Sequence, residues 1–244
     1  GVASALAEFE RRRSAGVPLE RAFRELEQEL ELDSEGGDDE AELAPAPDFP
    51  GVVAAVVEEY LWEAAQTAGS AGARARETVR LFGVFAASVG VFENLSVRDL
   101  LAYTCHWLPE NGAFENADAA REHLAEFGKF CHWIDEAQGL DLHASFREIL
   151  RGLESSLPRI VEANRRRTRA ADPAAGELFE CVSLAHGEPA ALRTRAGAAA
   201  HADIDPELAQ WLRPGDHVRG QISADGRLAV YCAYPPEARQ LVAG

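Results

Sequence analysis

Lysine is nearly missing from this chain: among 24 basic residues only Lys129 is a lysine, and the rest are arginine. Methionine is absent, and residue 1 is Gly, as expected of a chain that is processed, tagged or excerpted. Four cysteines in 244 residues are too few for a disulfide framework and point to a reducing, cytoplasmic setting. No apolar run approaches the roughly 18 residues needed to cross a bilayer, so no membrane partner is expected. The opening "GVASALAEFERRRSAG" lacks the basic-then-apolar order of a secretory signal. Neither G-x-S-x-G, H-E-x-x-H nor a Walker-type loop occurs, which removes the recognisable signatures of serine hydrolases, zinc proteases and P-loop nucleotidases. No catalytic residue and no cofactor is therefore expected.

Positive charge is also scarce. The formal charge is −17, and residues 1–50 alone carry 14 acids against 5 arginines. A chain with this balance repels phosphate backbones unless it gathers positive charge locally. The acid pairs Glu58-Glu59 and Asp135-Glu136 fall on expected solvated helix faces, and Asp38-Asp39-Glu40 falls in a linker. General acid–base carboxylates need burial to tune them, so these read as surface groups.

What is present is a helical pattern followed by an alternating one. Pro18 precedes Leu19, Phe23, Leu26 and Leu30 at helical spacing, giving an N-terminal helix within residues 1–33. Residues 34–50, rich in acids, Gly and Pro, read as a linker. Residues 51–167 read as a helical domain. Ser96 and Asp99 form a capping-box start, Gly139 is a helix stop, and Pro158 interrupts or kinks the last helix. A second linker spans 168–176.

From residue 177 to 244 the period changes to two. "LFECVSL" and "PAALRTRAG" read as strands, Asp205-Pro206 starts a short helix, and "HVRGQISADGRLAVYCAY" reads as a hairpin on an Asp-Gly turn. Val218, Ile222, Leu228, Val230 and Cys232 are expected on its inner face, with His217, Arg219, Gln221, Arg227 and Tyr231 outward. The fold class is thus an all-α domain followed by a small, mostly antiparallel β domain, a half-open barrel of SH3 or OB type.

Two segments repeat. "RETVRLFGVF" (76–85) aligns with "REHLAEFGKF" (121–130), pairing Phe82 with Phe127, Gly83 with Gly128 and Phe85 with Phe130. A glycine inside a helix costs about 1 kcal/mol relative to Ala. Two at matching positions imply a return in packing, a close helix crossing. "CHW" occurs at 105–107 and again at 131–133. Adjacent helical side chains diverge by about 100°, and the two- to four-residue gaps of zinc signatures are missing. Cys105 and Cys131 are therefore expected to be small buried residues rather than metal ligands, with His106 and His132 on the flanks.

Residues from about 59 to 142 resemble the SAM-like N-terminal core-binding domain of tyrosine recombinases. The likeness rests on "ETVRLFGVFAASVG", "LSVRDLLAYTCHWL" and "AREHLAEFGKFCHWIDEAQGLDL", with Phe130, Trp133, Gly139 and Leu140 in its closing pattern. It implies a helical domain that contacts DNA. The family's catalytic domain has no counterpart, because the 102 residues after Leu142 contain no H-x-x-R motif.

The leading expectation is a non-catalytic protein-interaction or regulatory module with a protein partner. The alternative is nucleic-acid or polyanion binding through Arg165, Arg166, Arg167 and Arg169, joined by Arg219, Arg227 and Tyr231 on the hairpin. An enzyme whose site is assembled from distant positions remains as a third class. The "RRR" at 11–13 reads as a counterpart to the acidic helix that follows it.

Overall fold

A computed structural model describes residues 51–68, 71–87, 94–168, 176–185 and 187–242. The expected N-terminal helix, the 34–50 linker, residues 169–175 and therefore Arg169 lie outside them. The described chain forms two compact units. One runs to Leu95 and includes Asn111–Glu115; the other comprises Ser96–Glu110 and the chain from Asn116 onward.

In the first unit, α1 (Gly51–Ala68) packs on α2 (Ala71–Ala86). Val56, Val57 and Tyr60 of α1 are buried, as are Val79, Phe82, Phe85 and Ala86 of α2. Gly83 is buried on the same stripe.

The second unit begins with α3 (Val97–Leu101), opened by the expected capping box: the Ser96 backbone N–H donates to Asp99 Oδ2 at 2.9 Å. It widens into a π turn, Ala102–Trp107, and closes in α4 (Leu108–Asn111). Within the π turn Tyr103, Thr104 and Cys105 are all buried. Thr104 Oγ1 donates to the Leu100 carbonyl at 2.7 Å, taking up a backbone acceptor there.

Helix α5 (Ala117–Gln138) is capped by Asn116, whose side chain accepts from the N–H groups of Asp118 and Ala119, and ends at Gly139 with φ 67°. Its neighbour α6 (Leu142–Asn164) continues through Pro158 rather than breaking there. Asp135 is not the solvated acid expected: its carboxylate accepts from the N–H groups of Leu142, His143 and Ala144, capping α6 from the preceding helix.

The repeat is a packing feature. Leu124, Phe127, Phe130, Cys131 and Ile134 of α5 are all buried. A Cβ added at Gly128 would lie 2.9 Å from Leu150 Cδ2 on α6, so the absent side chain is what lets α5 and α6 approach. Cys105 and Cys131 are fully buried, as expected of small core residues. His132 lies on the flank, 58% exposed, whereas His106 turns inward against Tyr234 with ring centroids 4.7 Å apart.

The sheet contains β1 (Glu177–Ser183), β2 (Ala190–Thr194), β3 (Ala199–Ala202), β4 (His217–Ile222) and β5 (Leu228–Tyr234), with the short helix α7 (Pro206–Ala209) between β3 and β4. The order is β3-β2-β1-β4-β5, and every neighbouring pair is antiparallel. Its two ends touch at one bridge, Asp203 with Arg227, so the barrel is half open. Strand β3, "AAHA", was not foreseen, because a run of small residues carries no alternation. A turn (Pro236–Ala238) and α8 (Arg239–Val242) follow.

Two hairpin positions, Cys232 and His217, differ from expectation, the first because of a bulge and the second because its face is covered. Arg219 pairs with Cys232 but Gly220 pairs with Val230, so Tyr231 is an extra, bulged residue. The bulge shifts the period, placing Ala233 rather than Cys232 in the inner core with Val218, Leu228 and Val230. Cys232 shares the other face with Arg219, and that face is itself covered: Cys232 is 2% exposed and His217, expected outward, is 5% exposed.

Helices followed by a small antiparallel sheet are the architecture expected. Ile160 and Ala163 at the end of α6 join the sheet's inner core with Phe179, Leu192 and Leu208, so helix and sheet belong to one unit. The larger of these, Ile160, Phe179, Leu192 and Leu208, each contribute about 1.5–3 kcal/mol on full burial.

Two outcomes follow. Gly128→Leu forces an added side chain into Leu150 and is expected to cost about 1–3 kcal/mol by overpacking, measured by urea unfolding. His123 is 5% exposed, shares a 3.0 Å hydrogen bond with Tyr103 Oη, and has its pKa lowered by burial to about 3. Its folded pKa lies below its unfolded one, so its contribution is complete above about pH 6.5 and is lost as pH falls toward about 3. The expected slope from this group is about 1.4 kcal/mol per pH unit across that window. His123→Gln is expected to be less stable at pH 7 and to flatten the slope, as read by unfolding at pH 7, 6, 5 and 4.

Candidate binding site

The arginines expected to meet a polyanion are largely engaged within the fold. Arg165 donates to both Glu162 oxygens at 3.3 and 3.2 Å, and Arg166 donates to the Glu162 carbonyl at 2.7 Å and its carboxylate at 3.2 Å. Burial alone would raise the Glu162 pKa, but Arg166, the Ala117 N–H and Arg165 together hold it below its usual value. Arg167 turns inward, toward the Pro109 carbonyl at 3.3 Å and Cys232 Sγ at 3.8 Å. These three side chains thus have partners within the fold.

On the hairpin, Arg219 donates to Glu110 Oε1 at 3.0 Å and lies over the Tyr234 ring, 5.5 Å from its centroid. Tyr234 donates to the same oxygen at 2.8 Å. His106, beside it, with Tyr234 and Arg219, keeps the Glu110 carboxyl below its usual pKa against the pull of burial. Arg227 is 80% exposed and sits 3.7 Å from Asp225. Tyr231 donates to Gln221 at 3.2 Å. Arg219, Arg227 and Tyr231 therefore share a hairpin but not a continuous basic surface.

A different group of residues converges. A cleft of about 210 Å³ is lined by Ala117, Arg121, Ser155, Pro158, Arg159, Gln210, Trp211 and Arg213. Three guanidinium groups and no carboxylate line it. Arg159 is fixed by Asp216, which is fully buried and receives both of its terminal nitrogens, while Arg159 Nη1 also donates to the Trp211 carbonyl at 2.6 Å. Asp216 accepts the Arg213 N–H at 2.6 Å as well, which sets the turn that carries Arg213. Among the described residues the Arg213 guanidinium meets only the carbonyl oxygens of Gln210 and Leu212. Arg121 pairs with the exposed Asp118. Arg166 lies over the Trp211 ring at 5.1 Å.

Sequence reasoning missed this group because its members come from three separated stretches, 117–121, 155–159 and 210–213. The only local signal was a tryptophan within a turn segment, "QWLRPGD".

For metals, among the described residues no group of three or more His, Cys, Asp or Glu side chains is placed to hold an ion. Burial pushes the Cys105 thiol up to about 12 and raises that of Cys131 as well, so neither is a thiolate near neutral pH. Three buried ring nitrogens, His106 Nε2, His217 Nε2 and Trp211 Nε1, have no hydrogen-bond partner among the described residues. No described helix is long and apolar enough to cross a membrane. No family model, curated protein or solved structure matches the chain.

Arg159→Gln leaves the Asp216 carboxylate buried without its main partner and is expected to destabilise by about 3 kcal/mol or more. Replacing both residues (Arg159→Leu with Asp216→Leu) is expected to cost less than the two single changes added together, as a double-mutant cycle in urea will show.

Proposed function

We propose that the chain is a non-catalytic binding or scaffolding protein, a protein-interaction module. The observation that carries this reading is the concave surface at Trp211, where arginines gather without a lining carboxylate on a chain of net charge −17. An arginine-lined cleft with an aromatic wall has the anatomy of an interface anchor, since Trp and Arg are among the residues enriched at binding hot spots.

The nucleic-acid alternative draws on the recombinase-like pattern of residues 59–142 and on the Arg165–Arg169 run. Its support is reduced by the internal partners of Arg165, Arg166, Arg167 and Arg219. Helix α5, the last helix of that resemblance, exposes Asp118, Glu122 and Glu136 alongside Arg121 and Lys129. Carboxylates on such a face repel phosphates within the 8–10 Å over which salt does not screen them.

Titration with a mixed-sequence DNA duplex at two salt concentrations is expected to show weak or no binding at physiological salt. Any residual affinity is expected to run through Arg165, Arg166, Arg167 and Arg169 and to fall steeply with salt. Sub-micromolar affinity that persists when all four are alanine overturns the protein-interaction reading in favour of a nucleic-acid one.

A further inference from the structure

We infer that the Trp211 cleft receives a single carboxylate side chain from a peptide segment of a partner protein, with Arg213 and Arg121 as its contacts. This inference rests on the protein-interaction reading above and adds the chemistry of the ligand. Three observations carry it.

The first is unmatched charge. Arg213 is exposed, and among the described residues its guanidinium meets backbone carbonyl oxygens but no carboxylate. Arg121 is 57% exposed and its partner Asp118 is 85% exposed, an ion pair open to exchange with an incoming carboxylate. Arg159 differs. Its planar edge is committed to the buried Asp216, so it positions the wall rather than the ligand. Asp216 in turn fixes the backbone at Arg213.

The second is the location of Ala117 in the lining, at the first position of a 22-residue helix. The N–H groups of that helix end are already taken, Ala117 by Glu162 and Asp118 and Ala119 by Asn116, so the end adds only its residual dipole to the arginines. The third is the apolar part of the lining, Ala117, Pro158 and Trp211, against which the methylene stem of a glutamate can lie while its carboxylate faces the guanidinium groups.

The same surroundings argue against a polyanion. Asp118, Glu154 and Glu207 are exposed, and each lies within three residues of a lining position. One isolated carboxylate can enter between them. A duplex, which carries a charge for about every 1.7 Å of its axis, brings further phosphates against them. The volume of about 210 Å³ likewise suits one side chain rather than an extended strand.

The test is an NMR titration of the full chain with a blocked pentapeptide carrying one glutamate between alanines, following the Trp211 indole and Arg213 side-chain N–H signals. Saturable shifts are expected in the millimolar range, weakening with added salt. Arg213→Gln and Arg121→Gln are each expected to weaken binding by about fivefold or more, while Arg147→Gln, at an exposed site on α6 outside the cleft, leaves it unchanged. The matching glutamine peptide is expected to cause no saturable shift.

Equal binding of the glutamine peptide, or no effect of Arg213→Gln, overturns the inference. Acetate binding as tightly as the peptide assigns the cleft to small free anions and also overturns it. A phosphoserine peptide bound more than about tenfold tighter reassigns the cleft to phosphorylated segments. Any of these results leaves the protein-interaction reading standing, whereas tight duplex binding removes that reading whatever the peptides do.

Discussion

One helix serves two cores. The first part of α6 gives Phe146, Leu150, Leu153 and Leu157 to the buried interior, with Phe146 edge-on to Phe127 of α5. Its last turns give Ile160 and Ala163 to the inner face of the sheet. Polar side chains between and beyond these positions fix the sheet in place. Ser156 donates to Glu237, Arg159 grips Asp216, and Asn164 both donates to the Ala233 carbonyl and accepts its N–H. Asn164 thus supplies β5 with the donor and acceptor that a neighbouring strand would provide. Thr168 adds a backbone bond to Val230 as the chain leaves the helix. The sheet's β4–β5 region would otherwise expose one face and an edge, and an exposed edge is a site of unwanted pairing.

Dependence on α6 also explains the position of the cleft. Ser155, Pro158 and Arg159 lie at the point where the helix passes from one core to the other. The turn carrying Gln210, Trp211 and Arg213 is tied there through Asp216. Removing the Asp216 anchor changes both stability and the wall of the cleft, while changing Arg213 alters only what the cleft presents. That separation is what allows binding and folding to be tested independently.

The legible and illegible parts of the sequence divide by the range of the interactions. Caps and stops are local: Ser96 with Asp99, Gly139 and Asp205 are found at their expected places because a few neighbouring residues determine them. The repeated glycine was legible in a related way, since its matching stripe already contained the information that a helix had to come close. Asp135 was not, because its partners lie beyond a helix stop, across a chain reversal. The hairpin bulge was invisible because "LAVYCAY" offers several alternations and only pairing with β4 selects one. The cleft was least legible of all, since only folding brings Arg121, Arg159 and Arg213 together from separated stretches.

The scarcity of lysine has a structural counterpart. A lysine ammonium is a compact charge, whereas a guanidinium offers five donors in a plane and a face that can stack. Arg159 uses this capacity to meet Asp216 and the Trp211 carbonyl together. Arg166 meets Glu162 while covering the Trp211 ring, and Arg219 meets Glu110 while covering Tyr234. In each case one side chain joins two elements, and Arg166 and Arg219 also cover an aromatic ring, so a lysine there would keep the charge and lose the second contact. Arg213 has no carboxylate partner among the described residues, and it differs from other such arginines in lining the cleft. The binding assignment therefore depends less on how many arginines the chain contains than on which of them folding leaves electrostatically unmatched within the cleft.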